Sequence, residues 1–267
     1  MPLRKGEDRM NAYEKVALAR ASDRPMGNWY IGQIIDDFTE LHGDRRYSDD
    51  GAIVGGIGFL DGMPVTCITM NRGGSIEDRI KRNFGCPSPE GYRKALRLMK
   101  QAEKFRRPVI CFVGSPGAYC GIGAEERGQG QAIAENLWEM CALKTPVISV
   151  VVGEGGSGGA LALSVADKIL MFENAVYSVI SPEGCASILY KDSAKAPEAA
   201  EALRLTATDL YRMKVADAII PESYRTSEET ARILKKKLVS ELTALKKVSV
   251  PRLLASRYEK FRAIGAM

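Results

Sequence analysis

The sequence predicts an α/β fold built on a covered sheet, and three observations predict it. Residues 109–113 (VICFV) form a continuously apolar run and 147–152 (VISVVV) one broken only by Ser149, both too short for helices and too uniform for strands with one wet face. Each follows a stretch of helical periodicity closed by an Xaa-Pro step, Arg107-Pro108 and Thr145-Pro146. Glycine-rich segments at 114–123 and 153–159 then lead from each run into the next helix.

Taken in order, Tyr30, Ile31, Ile34, Ile35, Phe38 and Leu41 fall at helical spacing, so 28–41 reads as an amphipathic helix. AIVGGIGFL (52–60) and MPVTCITM (63–70) flank Asp61-Gly62, a two-residue hairpin signal. Ser88-Pro89-Glu90 opens a helix with Ser as N-cap and Pro at the first helical position. Its expected apolar face is Tyr92, Ala95, Leu96, Met99, Ala102 and Phe105. After the strand at 109–113, a helix through Ile133, Leu137 and Cys141 precedes the strand at 147–152. A short apolar helix follows 153–159, then strands ILMF (169–172) and AVYSVI (175–180). From about residue 182 the chain reads as mostly helical, with a capping box at Thr206–Asp209. No linker or low-complexity stretch divides it. The reading is a short N-terminal segment, 1–27, and one domain, 28–267, with a helical C-terminal part.

Of 267 residues, 45% are apolar and 27% charged, as in an ordinary globular protein. No window approaches 18 uninterrupted apolar residues, which argues against a membrane helix. The first 25 residues are charged throughout and lack a secretory apolar core, so a cytoplasmic location is expected. The single histidine, His42, excludes metal sites with several His ligands and leaves one candidate for any Ser-His or Cys-His pair. The six cysteines are never closer than nine positions apart, so neither a zinc ribbon nor a Cys-x-x-Cys motif exists and no metal site is expected. Reduced thiols are the expectation.

Net charge is +5, but residues 79–107 and 230–262 each carry +8, which leaves the remainder at −11. Each run reads either as a solvated helix face or as a docking surface for a phosphorylated ligand or acidic partner. Arg79, Lys81 and Arg82 are the candidates for such docking on the first run. Aromatic residues are not interleaved as a nucleic-acid platform requires, and nucleic acid is not expected as a partner.

Sixteen of 26 glycines fall in three clusters, 51–62, 114–130 and 153–159. The first belongs to the hairpin and reads as structural. The third satisfies several motifs formally. Gly155-x-Ser157-x-Gly159 has the form of a nucleophile elbow, but that order needs a histidine after the serine, and His42 precedes it by 115 residues. Gly153-x-Gly155-x-x-Gly158, with Glu173 twenty residues after the first glycine, has the form of a dinucleotide fingerprint. Only about ten residues then separate Gly158 from the next strand, a stunted helix for such a unit. No Lys-Ser/Thr follows, so a phosphate-binding P-loop fails. Two readings stay open: consecutive amides at a helix start, ready to hold an oxyanion, or a turn that lets a helix pack on a sheet.

Four stretches together resemble one family: EGYRKALRLMKQAEKF (90–105), PGAY-x-G-x-GAEERGQ (116–129), GEGGSGGALAL (153–163) and SVISPEGCASILYKDSAKAPEAAEAL (178–203). The chain is similar there to the carboxyltransferase alpha subunit of multi-subunit acetyl-CoA carboxylase, and the ending RYEKFRAIG (257–265) is similar too. The resemblance runs from about residue 28 to the C-terminus. It implies a crotonase-type fold, a spiral of β-β-α units, and an alpha-2 beta-2 heterotetramer with a separate beta subunit. It implies transfer of a carboxyl group from carboxybiotin, borne on the biotin carboxyl carrier protein, to acetyl-CoA, giving malonyl-CoA for fatty-acid synthesis. Zinc is then expected on the beta subunit and not on this chain, and ATP is used only by a separate biotin carboxylase. The family's oxyanion glycines match Gly158 and Gly159. Gly117, Ala118, Tyr119, Gly155, Gly156 and Ser157 are the matching positions for biotin or substrate. A reaction that takes its base from biotin and its electrophilic help from backbone amides needs no catalytic side chain.

The chain departs from the family pattern where Asp-Thr and Pro are usual: it has Gly114-Ser115 and Cys120, and its N-terminal extension is reduced to some 27 residues. These departures leave room for a divergent paralogue that uses another acyl-CoA. Two rivals remain: a hydratase or isomerase of the same fold, with Glu125 or Glu126 as base, and a non-catalytic scaffold that positions the carrier. His42, in Leu41-His42-Gly43-Asp44, is expected in a turn closing a helix, away from the chemistry.

Overall fold

A computed structural model of the chain describes residues 10–222 and 226–265. The alternation read from the sequence folds into one mixed sheet, with strands β1 Asp36–Glu40, β2 Ile53–Leu60, β3 Met63–Met70, β4 Val109–Ser115, β5 Val147–Gly156, β6 Lys168–Phe172, β7 Val176–Ser178 and β8 Ala218–Ile220. The order is β1-β2-β3-β4-β5-β6-β8, with β7 added to the end of β5. The first three strands are antiparallel and the rest parallel.

The hairpin forms where Asp61-Gly62 requires it. Both residues are left-handed (φ 52° and 74°), the geometry of a two-residue turn that matches strand twist, and Leu60 pairs with Met63. Its glycines serve packing: a Cβ on Gly56 would stand 2.1 Å from the Thr39 carbonyl oxygen, so this glycine lets β1 close on β2.

The expected helix over 28–41 is only half right. Helix α2 runs Gly27–Ile34; the chain turns through a left-handed Asp37, and 36–40 become edge strand β1. Ile34, Ile35 and Phe38 suit either period, and the bare backbone of Gly56 and Gly58 decided for pairing. Likewise β8 interrupts the expected helical C-terminal part, because Ala218–Ile220 find a parallel partner in β6.

Helices cover both faces of the sheet. Gly27 of α2 lies against Thr69 and Phe112, while Leu98 of α4 (Pro89–Lys104) lies against Gly55, across from Ile68. Thr69 and Ile68 are consecutive in β3, so the two helices take opposite sides. On α4 the buried positions include Tyr92, Ala95, Leu98, Met99 and Ala102; Leu96 is half-buried and Phe105 exposed, so Leu98 replaces them on the core face. Ser88 sits at the N-cap without a side-chain cap hydrogen bond; its hydroxyl accepts from Asn83 Nδ2 at 3.4 Å, and its N–H donates to Asp50 Oδ2 at 2.6 Å. Helices α5 Ile122–Glu126 and α6 Gln129–Ala142 connect β4 to β5, and the five-residue α7, Ser157–Leu161, connects β5 to β6. On α6, Ile133 and Leu137 are half-buried, but Cys141 is exposed; Ala132, Asn136 and Met140 form the buried stripe.

The segment before residue 28 is not a bystander. Helix α1, Ala12–Arg20, opens on a full capping box between Asn11 and Glu14 and buries Ala12, Val16 and Ala19 against Val176, Ala200 and Leu205. At the other end, α8 Pro182–Leu189, α9 Ala196–Leu203, α10 Ala207–Arg212, α11 Ser227–Leu245 and α12 Val250–Ala263 complete the chain. Thr206 caps α10 by accepting from Asp209 N–H, but Asp209 answers the Thr206 hydroxyl rather than its amide, so the box is half made. Among the described residues no helix is long and apolar enough to cross a membrane.

Candidate active site

The site is built where β5 runs out. Residues 147–152 are apolar but for Ser149, whose buried hydroxyl donates to Leu163 O at 2.6 Å, because both faces of β5 are covered, and the strand then continues through Gly153-Glu154-Gly155-Gly156. Ser157 is left-handed (φ 55°), which turns the chain sharply into α7. The N–H groups of Gly158 and Gly159 lie in the first turn of α7, where no helical acceptor exists, and neither has an acceptor among the described residues.

Against this turn lies the loop that follows β4, held close by glycine. A Cβ on Gly156 would meet the Pro116 carbonyl oxygen at 2.0 Å; one on Gly159 would meet the Ala118 nitrogen at 2.5 Å and the Gly117 carbonyl carbon at 2.7 Å. Gly158 differs, since the nearest atom to its added Cβ is Ile133 Cγ2 at 3.7 Å. Of the residues expected at the site, Gly117, Ala118, Gly156 and Gly159 therefore meet at one seam between two loops, and Ser157 and Gly158 stand on the turn that forms one side of it. The Ala118 N–H also has no acceptor among the described residues.

Departures in the β4 loop are absorbed locally. The buried Ser115 hydroxyl donates to the Gly117 carbonyl at 2.7 Å and accepts the Gly117 N–H at 3.1 Å, which stiffens the loop from within. Gly114 leaves room for Met26 Cε, 2.5 Å from its added Cβ. Gln129, at the start of α6, donates to both Pro87 O and Tyr119 O at 2.8 Å and so ties this loop to the segment before α4. Tyr119 and Cys120 are exposed on it.

A cavity of about 290 Å³ opens beside the turn, lined by Glu154, Gly155, Gly156, Ser157 and Pro116 on one side and by Val176 and 178–182 on the other. Gly158 and Gly159 are not among its lining residues, so the cavity and the amide pair are neighbours rather than one chamber. Val16 of α1 closes one wall. The carboxylate there, Glu154, is engaged by Arg20 at 2.7 Å, and Arg20 also holds Glu183 at 2.8 Å. Although burial pushes Glu183 up, Arg20 beside it keeps its carboxyl below the usual range.

The other candidates stand elsewhere. Glu125 and Glu126 are exposed on α5. Helix α3, Ile76–Lys81, carries Arg79 and Lys81 and ends at its C-cap Arg82. The Arg82 guanidinium is spent on Asp78 at 2.6 Å and Gly51 O at 2.5 Å, and Arg79 donates to Ser22 O at 3.3 Å. Lys81 alone of the three makes no hydrogen bond or ion pair among the described residues, its charge only bearing on Asp78 nearby. Much of the 79–107 basic run is likewise internal: Arg93 binds Asp44 and Glu90, and fully buried Lys94 binds Asp49 at 2.5 Å. His42 follows strand β1, not a helix, and its Nδ1 lies 3.0 Å from Asp49 Oδ2 on the surface. All six cysteines are free thiols, and no three His, Cys, Asp or Glu gather as metal ligands among the described residues. Burial raises Cys86 to about 11, which makes it a thiol rather than a nucleophile at neutral pH.

The glycine clusters marked this site in the sequence; the groups that frame it were missed. Arg20, Glu154 and Gln129 carry no local signal, because their partners lie 134, 163, 42 and 10 residues away.

Comparison with known proteins gives a consistent result. A family described as acetyl co-enzyme A carboxylase carboxyltransferase-like matches residues 4–265. The acetyl-coenzyme A carboxylase carboxyl transferase subunit alpha of Clostridium botulinum (strain Eklund 17B / Type B) is 54% identical, over 96% of this chain and 94% of that one. Its namesake in Ruminiclostridium cellulolyticum is 56% identical over 96% and 98%. A Clostridium tetani protein named as subunits beta/alpha is 53% identical over 97% of this chain and 46% of its own length. Among solved structures, transcarboxylase 12S has a TM-score of 0.71 at 18% identity, over 89% of this chain and 45% of that one. The beta subunit of Pseudomonas aeruginosa geranyl-CoA carboxylase scores 0.63 at 18% identity, over 97% and 47%. These structural neighbours share the crotonase-type fold expected from the sequence.

Proposed function

Because the chain belongs to the acetyl-CoA carboxylase carboxyltransferase family, we infer that it is the alpha subunit that passes a carboxyl group to acetyl-CoA, giving malonyl-CoA. A beta subunit is its partner, and the fused beta/alpha chain of C. tetani is the same pairing made covalent. In this reading the beta subunit carries the zinc site, two copies of each subunit assemble, and a biotin carboxyl carrier protein delivers the carboxyl group. ATP is used only in the separate carboxylation of biotin.

One observation carries the assignment of the chemistry to the glycine turn: Gly158 and Gly159 have N–H groups with no acceptor among the described residues, at a seam where a third such group, Ala118 N–H, lies within reach. Carboxybiotin, when bound, supplies the carboxyl group and a ureido oxygen that becomes more negative as that group leaves. The residues present fit such a group. Fixed amides stabilise negative charge without reorganising, a donor of this kind being worth about 2.7–4 kcal/mol to a transition state. Arg20 neutralises Glu154, so no unpaired carboxylate opposes a developing anion at the adjoining cavity wall. Ser115 and Gln129 hold the loop that carries Ala118 and thereby fix the spacing between the two sides. The cavity beyond Ser157, with walls from Val179, Ile180 and Pro182, receives the apolar body of the ligand. Lys81, exposed and without a hydrogen bond or ion pair among the described residues, remains the candidate for carrier or CoA phosphate; Arg79 and Arg82 act by holding α3 in place.

The test is malonyl-CoA formation by the chain with purified beta subunit and carboxylated carrier, beside enoyl-CoA hydration by the chain alone. Transfer only in the presence of the beta subunit is expected. Hydration without a partner would overturn the reading, and preference for a longer acyl-CoA would place the chain with a divergent acceptor.

A further inference from the structure

Tyr92 carries a hydroxyl that the fold buries completely and leaves without a hydrogen-bond partner among the described residues. Its ring belongs to the central core, and a phenyl ring would fill that space equally well. The oxygen ends at the seam of the site. It stands 2.8 Å from the position that a Cβ on Gly159 would take, and the Ala118 nitrogen stands 2.5 Å from that same point. One small volume therefore holds the unbonded N–H of Ala118, the backbone of Gly159 and an unbonded O–H.

Other buried oxygens without partners differ in kind. Gln129 and Asn136 each leave Oε1 or Oδ1 unpaired, but their amide nitrogens are bonded, to Pro87 O and Tyr119 O in one case and to Ala162 O in the other. They act as clamps. Tyr92 has one polar atom and it is idle. Burial, with Cys86 and Asp50 adding to it, pushes this hydroxyl well above the ordinary tyrosine range, so it stays a neutral donor at any working pH. An unbonded buried hydroxyl opposes folding. The same dipole becomes favourable when negative charge develops close by in dry surroundings.

We propose that Tyr92 is a positioning residue of the transfer site, whose hydroxyl sets the spacing of the Ala118 and Gly159 amides and lends a buried dipole behind the oxygen they hold. The proposal rests on the reading of the glycine turn as the charge-holding element. It gives α4 a part in the reaction that its packing alone does not explain.

The experiment is Tyr92→Phe in the complete assembly, with beta subunit, carboxylated carrier and acetyl-CoA. The expected result is a thermal midpoint equal to or above that of the parent, KM for both substrates within about twofold, and kcat lowered by about tenfold or more. The ratio of the two kcat values stays flat from about pH 6.5 to 9, because the hydroxyl does not titrate there. A kcat within about twofold of the parent would overturn the proposal, as would a loss of kcat accompanied by a lower thermal midpoint, which marks a purely structural role. Gly159→Ala, assayed alongside, separates the two levels. If it keeps full turnover, the glycine reading itself fails; if it loses turnover while Tyr92→Phe does not, only the role of Tyr92 fails.

Discussion

Arg257 and Tyr92 are both buried polar side chains, and they are built by opposite rules. Arg257, 1% exposed, spends every guanidinium N–H: on both oxygens of Asp167 at 2.9 and 2.8 Å, on Met140 O and Leu143 O at 2.7 and 2.8 Å, and on Thr145 O at 3.1 Å. It thereby pins α12 onto the end of α6 and the start of β5, since Asp167 also accepts the Val147 N–H at 2.8 Å. The Tyr92 hydroxyl and the N–H groups of Gly158, Gly159 and Ala118 find no acceptor among the described residues. A saturated node fixes the scaffold, whereas an unsaturated one waits for charge that is not its own. The difference teaches where to look for chemistry in a protein whose reaction uses no side-chain nucleophile: at unspent donors rather than at perturbed acids.

That comparison can be broken, and the most severe test is Arg257→Ala. It leaves the Asp167 carboxylate buried without its countercharge, held only by the Val147 N–H, for which about 3–5 kcal/mol of stability should be lost. Urea denaturation measures it, and a loss under about 1 kcal/mol would mean that the node is not what holds α12. At the unsaturated site the effect should appear in turnover instead. A Cβ on Gly159 stands 2.5 Å from backbone at Ala118, so Gly159→Ala should cost about 10²-fold in kcat, while Gly158→Ala, with 3.7 Å of clearance, should stay within about fivefold. Equal effects at the two glycines would contradict the geometry of the seam.

A third test separates the two kinds of site by pH. Burial alone would push up Asp44 and Asp49, but Asp44 is held low by the amides of Tyr47 and Arg46 and by Arg93, and Asp49 by Lys94 and the Gly43 amide. Their folded values lie below their unfolded ones. The stability they contribute is therefore complete above about pH 4–5 and is lost as pH falls through the folded values. Denaturation midpoints at neutral and acid pH should show a shallower acid limb in Asp49→Asn than in the parent; an unchanged limb would show that the pairing with Lys94 does not drive it. Smaller still, Lys81→Glu should raise KM for the carrier or the CoA ester in a salt-dependent way, whereas Arg82→Glu should chiefly lower stability, by about 1 kcal/mol or less. The smallest effect is expected at His42→Gln, within about twofold in kcat, because the imidazole meets only surface carboxylates.

What was legible in the chain was local. Asp61-Gly62 demanded a turn with two left-handed residues, Ser88-Pro89 opened α4, and the uniform runs at 109–113 and 147–152 could only be covered strands. Segment 28–41 misled because adjacent Ile34 and Ile35 satisfy both periods, and its fate depended on glycines 20 residues away. The basic run at 79–107 read as a surface charge, yet Lys94 is buried and Arg93 half-buried, and the carboxylates of Asp49 and Asp44 that they bind lie 45 and 49 positions upstream. Tyr92 was visible as an apolar position of α4, and nothing near it in sequence said where its hydroxyl would end.

By itself, the sequence determined the alternation of strands and helices, the hairpin, the glycine turns and, through four long motifs, the family. These are properties of neighbours along the chain: backbone freedom at glycine, the fixed φ of proline, and apolar period. Only the tertiary structure decided which donors are spent and which are left over, because a hydrogen bond between residues far apart exists only once the sheet has set their distance. It made Arg257 a staple and brought Tyr92, Ala118 and Gly159 to one point.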